Sequence, residues 1–315
     1  MKKLFALLLL YAAVAAHAAH AAQATDTVRI GFQKGGGLAL VLKKQGLLER
    51  ALAPQGVTVK WVEFPAGPQL LEALNAGSVD IGGTGAPPPV FSQAAGADLV
   101  YVGAEPPPVT GEAIVVRPDS PIRDVAGLRG KRVAFQRGSG SHLLLVAALE
   151  KAGLSIRDVQ PVYLAPAEAR AAFEAGAVDA WVIWDPYLAA AQKAYRPRVL
   201  ADRTGLLPAY GFYLASRGLV QRAPDVVATV LEQFAQAGQW ANAHQQEMVA
   251  LMAPQVGVPP DVVATWLGRS KAGTTPVTPE IAASQQKVAD LLYREKVIPR
   301  PVTIAGHVWT WKRAR

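Results

Sequence analysis

Residues 131–142, Lys-Arg-Val-Ala-Phe-Gln-Arg-Gly-Ser-Gly-Ser-His, repeat much of an earlier stretch, and this repetition decides the fold. The earlier stretch is residues 28–37, Val-Arg-Ile-Gly-Phe-Gln-Lys-Gly-Gly-Gly. Both contain the core Phe-Gln-basic-Gly-x-Gly, which begins at Phe32 and again at Phe135, 103 residues later. The sequence therefore predicts one structural unit that is used twice.

A second repeat follows each copy of the first. Residues 73–80, Ala-Leu-Asn-Ala-Gly-Ser-Val-Asp, match residues 172–179, Ala-Phe-Glu-Ala-Gly-Ala-Val-Asp, 99 residues later. Two repeats in the same order and at nearly the same offset indicate two similar lobes. We expect the repeated acids, Asp80 and Asp179, to brace turns rather than to catalyse a reaction.

Each copy has the pattern of a strand, a glycine loop and a helix. Val133–Phe135 is a short apolar run typical of a buried parallel strand, and residues 138–141 form a glycine-serine turn. Leu143–Lys151 has helix-forming composition, with Ser139 or Ser141 as N-cap. A helix N-terminus attracts anions through its partial positive charge and free N–H groups. Two such termini across a cleft predict an anion clamp.

The glycine loop could also bind nothing, and its residues exclude three known ligand-binding or catalytic motifs. Strand–glycine–helix turns are common in α/β proteins, and most of them bind nothing. The loop lacks the third glycine of the dinucleotide fingerprint, and no Gly-Lys-Ser/Thr phosphate loop or Gly-x-Ser-x-Gly elbow is present. The repetition, rather than the motif, favours a ligand site.

The N-terminus has the pattern of an export signal. Lys2 and Lys3 precede an apolar run, residues 4–16, which is shorter than the roughly 20 residues needed to span a bilayer. We expect residues 1–24 to be removed and the mature protein to be periplasmic. The chain has 315 residues and no cysteine, which excludes a lipid-anchored cysteine, a thiol nucleophile and cysteine-based metal sites.

Charge and composition exclude further classes of function. The 32 basic and 24 acidic residues give a net charge of +8, and they are scattered along the chain. No aromatic-basic module for nucleic acids occurs, and no His/Asp/Glu set has metal-ligand spacing. We expect no nucleic-acid partner, no metal, no cofactor and a monomeric protein. A diffuse positive field suits a small anion, although it is equally common as an aid to solubility.

From Thr27 onward, short apolar strands alternate with helices, which predicts an α/β fold with parallel sheets. We predict that residues 25–110 and 207–315 form lobe 1 and that residues 111–206 form lobe 2. After Pro224 the pattern is helical, and Pro224 and Pro279 fit first-turn positions, with Thr278 as N-cap. Further prolines, Pro254, Pro259 and Pro260, are expected to break this region into several helices.

Polar and aromatic residues follow the predicted strands, where ligands collect in open α/β sheets. Trp184-Asp185 ends one strand, and Trp184 is a better pocket candidate than Trp181, which alternation places on the opposite face. Thr84-Gly85 ends the equivalent strand of lobe 1. His142, at a helix start, could donate to an anion, but a lone histidine is more often a packed or solvated residue.

Taken together, these motifs resemble the periplasmic aliphatic-sulfonate-binding components of bacterial ABC importers, within the sulfonate/nitrate/taurine-binding group. The resemblance covers nearly the whole mature chain. It is carried by Phe32–Gly35, Val62–Gln69, Glu72–Gly77 with Asp80, Ala94–Gly103, Val133–Gln136 with Gly138, Ser139 and His142, and Val178–Trp181 with Ile183–Tyr187.

The resemblance implies a type II periplasmic binding fold, two α/β lobes that close on a sulfonate. It implies a solute-binding subunit, not an enzyme, that delivers alkanesulfonates to the permease transmembrane subunits for sulfur acquisition. The residues implied to bind the ligand are Gln33, Lys34, Gly35, Gly36, Thr84, Gly85, Ser139, Gly140, Ser141, His142, Trp184 and Asp185.

One position departs from the family pattern. The family often has an acid directly after its Thr-Gly, where this chain has Ala86. An aminosulfonate needs a carboxylate for its ammonium group, so this change argues against taurine-like ligands. Binding of taurine, nitrate or a pyrimidine precursor, a chemoreceptor adaptor role, and an enzyme related to sulfinate desulfinases stay open as alternatives. The desulfinase uses a cysteine, which this chain lacks.

Overall fold

The computed structural model describes residues 27–33, 36–107, 110–269 and 271–312. The predicted signal segment, Lys34 and Gly35 lie outside the described residues. The described strands form two five-stranded sheets, each flanked by helices, which confirms the predicted α/β class.

The first sheet has the order β2-β1-β3-β10-β4. Its strands are β1 (Thr27–Gln33), β2 (Thr58–Phe64), β3 (Ile81–Thr84), β4 (Leu99–Glu105) and β10 (Gly211–Ser216). The second sheet has the order β7-β6-β8-β5-β9. Its strands are β5 (Glu112–Val116), β6 (Arg132–Phe135), β7 (Gln160–Tyr163), β8 (Ala180–Trp184) and β9 (Arg198–Asp202).

Helices cover both sheets and form the C-terminal region. In chain order they are α1 (Gly37–Gln45), α2 (Leu47–Leu52), α3 (Gly67–Asn75), α4 (Pro87–Ala94), α5 (Gly140–Lys151), α6 (Pro166–Glu174), α7 (Tyr187–Tyr195), α8 (Arg217–Arg222), α9 (Pro224–Ala243), α10 (Gln245–Val256), α11 (Pro260–Leu267) and α12 (Pro279–Arg294). Among the described helices, none combines the length and apolarity needed to cross a bilayer.

The predicted duplication is present in the strand order. β1 pairs in parallel with β2 on one side and β3 on the other, and β6 pairs in the same way with β7 and β8. In both copies the central strand leads through a glycine loop into a helix, α1 in the first sheet and α5 in the second.

The repeated acids tie each unit together through the same set of contacts. Asp80 accepts hydrogen bonds from the backbone N–H and guanidinium of Arg29, both at 2.8–2.9 Å. Asp179 accepts the equivalent bonds from Arg132, at 2.8–3.2 Å. The predicted bracing role is therefore correct, because each acid joins the start of the third strand of its unit to the first.

The chain passes between the sheets twice, after β4 and after β9. β10 returns to the first sheet and lies antiparallel between β3 and β4. The C-terminal helices then pack on the first sheet, where residues of α9 and α10 share a hydrophobic core with β1 and α1. The exact lobe boundaries stay a prediction, but strand membership changes sheet between residues 105 and 112 and between 202 and 211.

Prolines lie inside helices at two places, and one of them, Pro254, was expected to break its helix. Pro87–Pro89 form the first turn of α4, where a missing N–H removes no intrahelical bond. Pro254 lies inside α10 and does not break it, because the helix ends only two residues later. Pro224 and Pro279 occupy first turns as predicted, and the Thr278 hydroxyl accepts from the Ile281 N–H. Residues 122–128 contain a 3-10 turn at Ala126–Leu128.

The paired acids give a matched test of the fold. We expect Asp80→Ala to lower the free energy of unfolding by about 2 kcal/mol, because its charged hydrogen bonds are shielded from water. Asp179→Ala should cost less, since its side chain is 27% exposed whereas that of Asp80 is 4% exposed. Urea unfolding of both variants measures the difference. An equal or larger loss in Asp179→Ala would contradict the assignment.

Candidate functional site

A cavity of about 490 Å³ is lined by residues of both sheets. Gln33, Thr84 and Glu105 reach it from the ends of β1, β3 and β4, and Trp184 reaches it from the end of β8. These are the carboxyl ends of the parallel strands, where the strand-to-helix loops leave room for a ligand.

The N-termini of several helices meet at the cavity. The starts of α1, α3, α4, α5 and α7 all contribute lining residues. Each N-terminus carries a partial positive charge and backbone N–H groups without intrahelical partners. Because these termini converge from both lobes, the cavity is an electrostatically favourable place for an anion.

The N-terminus of α5 presents free donors at the cavity. Ser139 is the N-cap residue, and the N–H groups of Gly140 and Ser141 donate to no acceptor in the described part of the chain. Glu112 packs against Gly140 so closely that a Cβ there would lie 2.0 Å from its Oε1. A side chain at position 140 would therefore displace Glu112, which explains the second glycine of this loop.

The opposing helix α4 offers fewer donors than a normal helix start. Its first turn is Pro87–Pro89, which has no N–H groups. The remaining donors at this end are the N–H groups of Gly85 and Ala86, and neither donates to an acceptor within the described ranges. The free donors among the cavity-lining residues are thus Gly85 and Ala86 on one side and Gly140 on the other.

Two hydroxyl groups at the cavity already have acceptors within the protein. The Ser139 hydroxyl donates to the Gln136 carbonyl at 2.7 Å, and the Thr84 hydroxyl donates to the Gly85 carbonyl at 3.1 Å. Gln33 donates to the Gly83 carbonyl at 3.1 Å, which joins the β1 loop to the β3 loop. With these bonds formed, the Ser139 and Thr84 hydroxyl oxygens can accept hydrogen bonds from a ligand, or the hydroxyl groups can rotate to donate to it. The backbone N–H groups of Gly85, Ala86 and Gly140 are free to donate.

The two tryptophans of β8 occupy different environments. Trp181 is fully buried against Phe173, at a ring distance of 5.6 Å. Trp184 is half-buried, lines the cavity and packs edge-on against Tyr187. Side chains alternate between the two faces of a strand, so these two tryptophans, three residues apart, point to opposite faces. Trp184 thereby supplies the cavity with an aromatic wall.

Asp185 links the two lobes. Its carboxylate accepts from the Ala189 N–H at the start of α7 and from the Arg269 guanidinium, at 2.9–3.0 Å. Arg269 belongs to the C-terminal region packed on the first sheet, and it also contacts Gln192 of α7. Lys193 of α7 pairs with Asp261 at 2.6 Å. Burial raises the pKa of Asp185 to about 6, although the Arg269 charge opposes this shift.

His142 and Ser141 are not among the residues that line the cavity, since their side chains are buried in the protein. The His142 ring lies between Phe91, Phe135 and Tyr163, and its Nδ1 accepts the Gly138 N–H at 3.2 Å. This bond assigns the proton of the neutral ring to Nε2. Burial, and then the Arg137 charge, lowers the pKa of His142 to about 4. Its place in the structure is that of a packed histidine.

Of the predicted ligand-binding residues, eight meet around one cavity. They are Gln33, Gly36, Thr84, Gly85, Ser139, Gly140, Trp184 and Asp185. Their contact with a ligand stays a prediction. Lys34 and Gly35 lie outside the described residues.

The structure adds cavity residues that the sequence did not indicate. Arg203 pairs with Glu112 at 2.5 Å and donates to the Gly140 carbonyl at 3.0 Å. Glu105 accepts a hydrogen bond from Tyr213. Glu105 and Glu112 lie where the chain leaves β4 and enters β5, Arg203 follows β9, and Tyr213 lies in β10. No motif marks them because their meeting depends on the chain crossing. Within the described ranges, no group of three or more acidic or histidine side chains could hold a metal ion.

The chain matches the NMT1/THI5-like family over residues 52–248. It is 48% identical over 285 residues to a putative aliphatic sulfonates-binding protein of Escherichia coli K12, which covers 90% of this chain and 89% of that protein. It is 33% identical to the protein described in the same way in Bacillus subtilis 168, with coverages of 88% and 84%.

A solved structure of similar sequence has the same fold as this chain. The alkanesulfonate-binding protein of Xanthomonas axonopodis pv. citri, bound to MOPS, superimposes with a TM-score of 0.86 at 44% identity. The match covers 93% of this chain and all of that one, and it confirms the predicted periplasmic-binding-protein fold.

The buried histidine predicts a pH dependence of stability. Because the pKa of His142 falls to about 4 in the folded state, the unfolded chain binds its proton first as the pH drops from 6.5 towards 4. Stability should therefore fall in this window, by about 3 kcal/mol at most from this group.

His142→Asn tests this, since an amide oxygen can accept the Gly138 N–H without titrating. We expect urea unfolding between pH 4 and 6.5 to show a shallower loss of stability in this variant than in the unchanged protein. His244→Asn, at a half-buried histidine of the C-terminal region, is the control. Equal slopes in His142→Asn and the unchanged protein would contradict the prediction.

Proposed function

This chain belongs to the NMT1/THI5-like family, and on that basis we propose that it is the solute-binding subunit of a bacterial ABC importer for aliphatic sulfonates. The mature protein captures the sulfonate between its lobes and delivers it to the permease. The observation that carries the proposal is a cavity with free backbone donors on two opposing sides and apolar residues on the side formed by the C-terminal helices.

The donor set suits a sulfonate. A sulfonate is ionised at every physiological pH and has three oxygens, so its recognition requires oriented donors and no proton transfer. Gly85 and Ala86 supply such donors from one lobe, and Gly140 supplies one from the other. A ligand that bridges these two sites would stabilise the closed arrangement of the lobes, which is how closure becomes coupled to binding.

Lys271 and three arginines line the cavity, and each of the arginines is paired with a carboxylate. Arg203 is paired with Glu112, Arg269 with Asp185, and Arg170 with Glu174. A dianion such as sulfate would therefore meet guanidinium groups whose charge is already balanced. An organic monoanion loses less hydration on entry and gains contact with apolar walls, so the site should prefer alkanesulfonates to sulfate.

The apolar part of the cavity is large enough for an organic tail. Trp184 lies beside the donors, and further apolar residues line the side formed by the C-terminal helices. These are Phe234, Met248, Val256, Val258, Trp266 and Leu267. Burying an alkyl tail here contributes roughly 0.8 kcal/mol for each methylene group removed from water.

The sequence places this function outside the cytoplasm. Residues 1–24 act as an export signal, and the absence of cysteine leaves the mature protein free in the periplasm rather than lipid-anchored. The same absence argues against a thiol-dependent enzyme, so the protein is a carrier that releases its ligand unchanged.

Calorimetric titration tests the proposal. The signal-free protein, refolded to remove carried-over ligand, should bind ethane-, butane- and octanesulfonate and give little heat with sulfate or nitrate. Trp184→Ala should weaken octanesulfonate binding about tenfold, because it removes an aromatic wall worth about 1.4 kcal/mol.

Tyr293→Ala is the matched control, since this tyrosine is 46% exposed on α12 and lies outside the cavity. It should bind like the unchanged protein. Absence of heat with every sulfonate, or equal affinity in the two aromatic variants, would contradict the proposal.

A further inference from the structure

A buried chain of polar side chains lies behind the Gly85 and Ala86 donors. Gln285 of α12 donates from Nε2 to the Ala86 carbonyl at 2.7 Å and to the Tyr101 hydroxyl at 3.2 Å. The Tyr101 hydroxyl in turn donates to Gln93 Oε1 at 2.9 Å. Ala86 lines the cavity, whereas the three polar side chains do not, so they support this part of the wall from behind.

The direction of these hydrogen bonds is set by the carbonyl at one end. A backbone carbonyl can only accept, so the Gln285 amide must turn its Nε2 towards Ala86. Nε2 also donates to the Tyr101 oxygen, which leaves the Tyr101 proton for Gln93. Burial raises the pKa of Tyr101, and the Gln285 hydrogen bond only partly opposes this, so the hydroxyl keeps its proton.

The polar chain is enclosed by apolar residues. Gln285 is 1% exposed, and Tyr101 is fully buried in a cluster with Val90 of α4 and with Val288 and Leu292 of α12. Burying an amide costs free energy unless it forms hydrogen bonds. Gln285 Oε1 has no partner in the described part of the chain, so the amide acts only through its N–H groups.

Gln285 and Thr84 hold the two carbonyl groups that flank the Ala86 Cα atom. The Thr84 hydroxyl donates to the Gly85 carbonyl at 3.1 Å, and this carbonyl shares a peptide plane with the Ala86 N–H. Gln285 holds the next carbonyl along the chain. Because both peptide planes are held, the torsion angles of Ala86 (φ −62°, ψ −44°) are fixed, and its N–H has one direction.

The direction of the Ala86 N–H matters because the next three residues cannot replace it. Pro87–Pro89 have no N–H groups, so a rotation at Ala86 would leave Gly85 as the remaining donor at this end of the cavity. A donor that is already oriented requires no reordering when an anion arrives.

We propose that Gln285 is a positioning residue that orients the Ala86 N–H towards the anionic head group of the ligand. The inference rests on the proposed function, because it assumes that a sulfonate occupies the backbone donors. Gln285 does not line the cavity, so it acts through Ala86 alone. Its contribution therefore belongs to the head group and does not depend on the length of the organic tail.

Gln285→Met tests this, because methionine has a similar length and donates no hydrogen bond. We expect it to weaken ethanesulfonate and octanesulfonate by the same factor, about fivefold, since both ligands lose one oriented donor. Calorimetric titration measures both affinities. Gln286→Met is the matched control: Gln286 is the next residue of α12 and donates to the Val302 carbonyl at 2.9 Å, but neither residue lines the cavity. It should leave both affinities unchanged.

Gln285→Glu gives a second readout through pH. A protonated carboxyl group can donate to the Ala86 carbonyl, whereas a carboxylate cannot. We expect this variant to bind ethanesulfonate as tightly as the unchanged protein at pH 5 and to fall behind it as the pH rises to 9. The ratio of affinities between Gln285→Met and the unchanged protein should stay constant over the same range.

Thermal unfolding verifies that each variant is folded, and if Gln285→Met is not, the pH series of Gln285→Glu decides alone. Unchanged binding by Gln285→Met, an equal loss in Gln286→Met, or a loss that grows with tail length would overturn this inference alone. A constant affinity ratio between Gln285→Glu and the unchanged protein would do the same. Failure of the unchanged protein to bind either sulfonate would overturn the proposed function as well.

Discussion

The buried ion pair between Glu112 and Arg203 is the contact on which the arrangement of the cleft depends. Glu112 begins β5, directly after the first connection between the lobes, and Arg203 follows β9, at the start of the second connection. Their side chains are only 11% and 6% exposed. Arg203 also donates to the Gly140 carbonyl, and Glu112 packs on the same glycine. The connections between the lobes are thereby fixed to each other and to the start of α5.

The Glu112–Arg203 pair affects both the geometry and the charge of the site. The free N–H group of Gly140 has a fixed position relative to the connecting segments, so an anion bound there would lie beside the connections between the lobes. Because the pair is buried, removal of either partner would leave an uncompensated charge, which is more costly than loss of the pair itself. The pair therefore sets the geometry of the site while leaving no net charge beside the ligand.

The sequence predicted the repeated parts of this molecule best. The two copies of Phe-Gln-basic-Gly-x-Gly and the two acids, Asp80 and Asp179, gave the duplicated strand–helix units and the end of the sheets where the cavity lies. The alternation of side chains along a strand also predicted that Trp181 and Trp184 face opposite sides of the sheet. These features are local, because each depends on residues within one strand, turn or helix start.

The remaining features could not be predicted because they depend on distant parts of the chain. Arg269 meets Asp185 across 84 residues, Arg203 meets Glu112 across 91, and Tyr213 meets Glu105 across 108. Apart from Asp185, which follows a predicted strand, none of these residues has a distinctive sequence context. His142 shows the opposite case: its place at a helix start suggested a ligand contact, but its ring packs in an aromatic cluster and does not line the cavity. The proline triplet of α4 likewise removed donors that a helix start would normally supply.

The central claim is that the cleft holds a sulfonate on backbone donors from both lobes. The most direct measurement is a crystal structure with 2-bromoethanesulfonate, in which the anomalous signal of bromine marks the tail independently of the sulfur. We predict sulfonate oxygens within hydrogen-bonding distance of the Gly85 and Gly140 N–H groups and bromine towards Trp184. A ligand outside the cleft, or a sulfonate held by arginine side chains while these N–H groups stay free, would contradict the account.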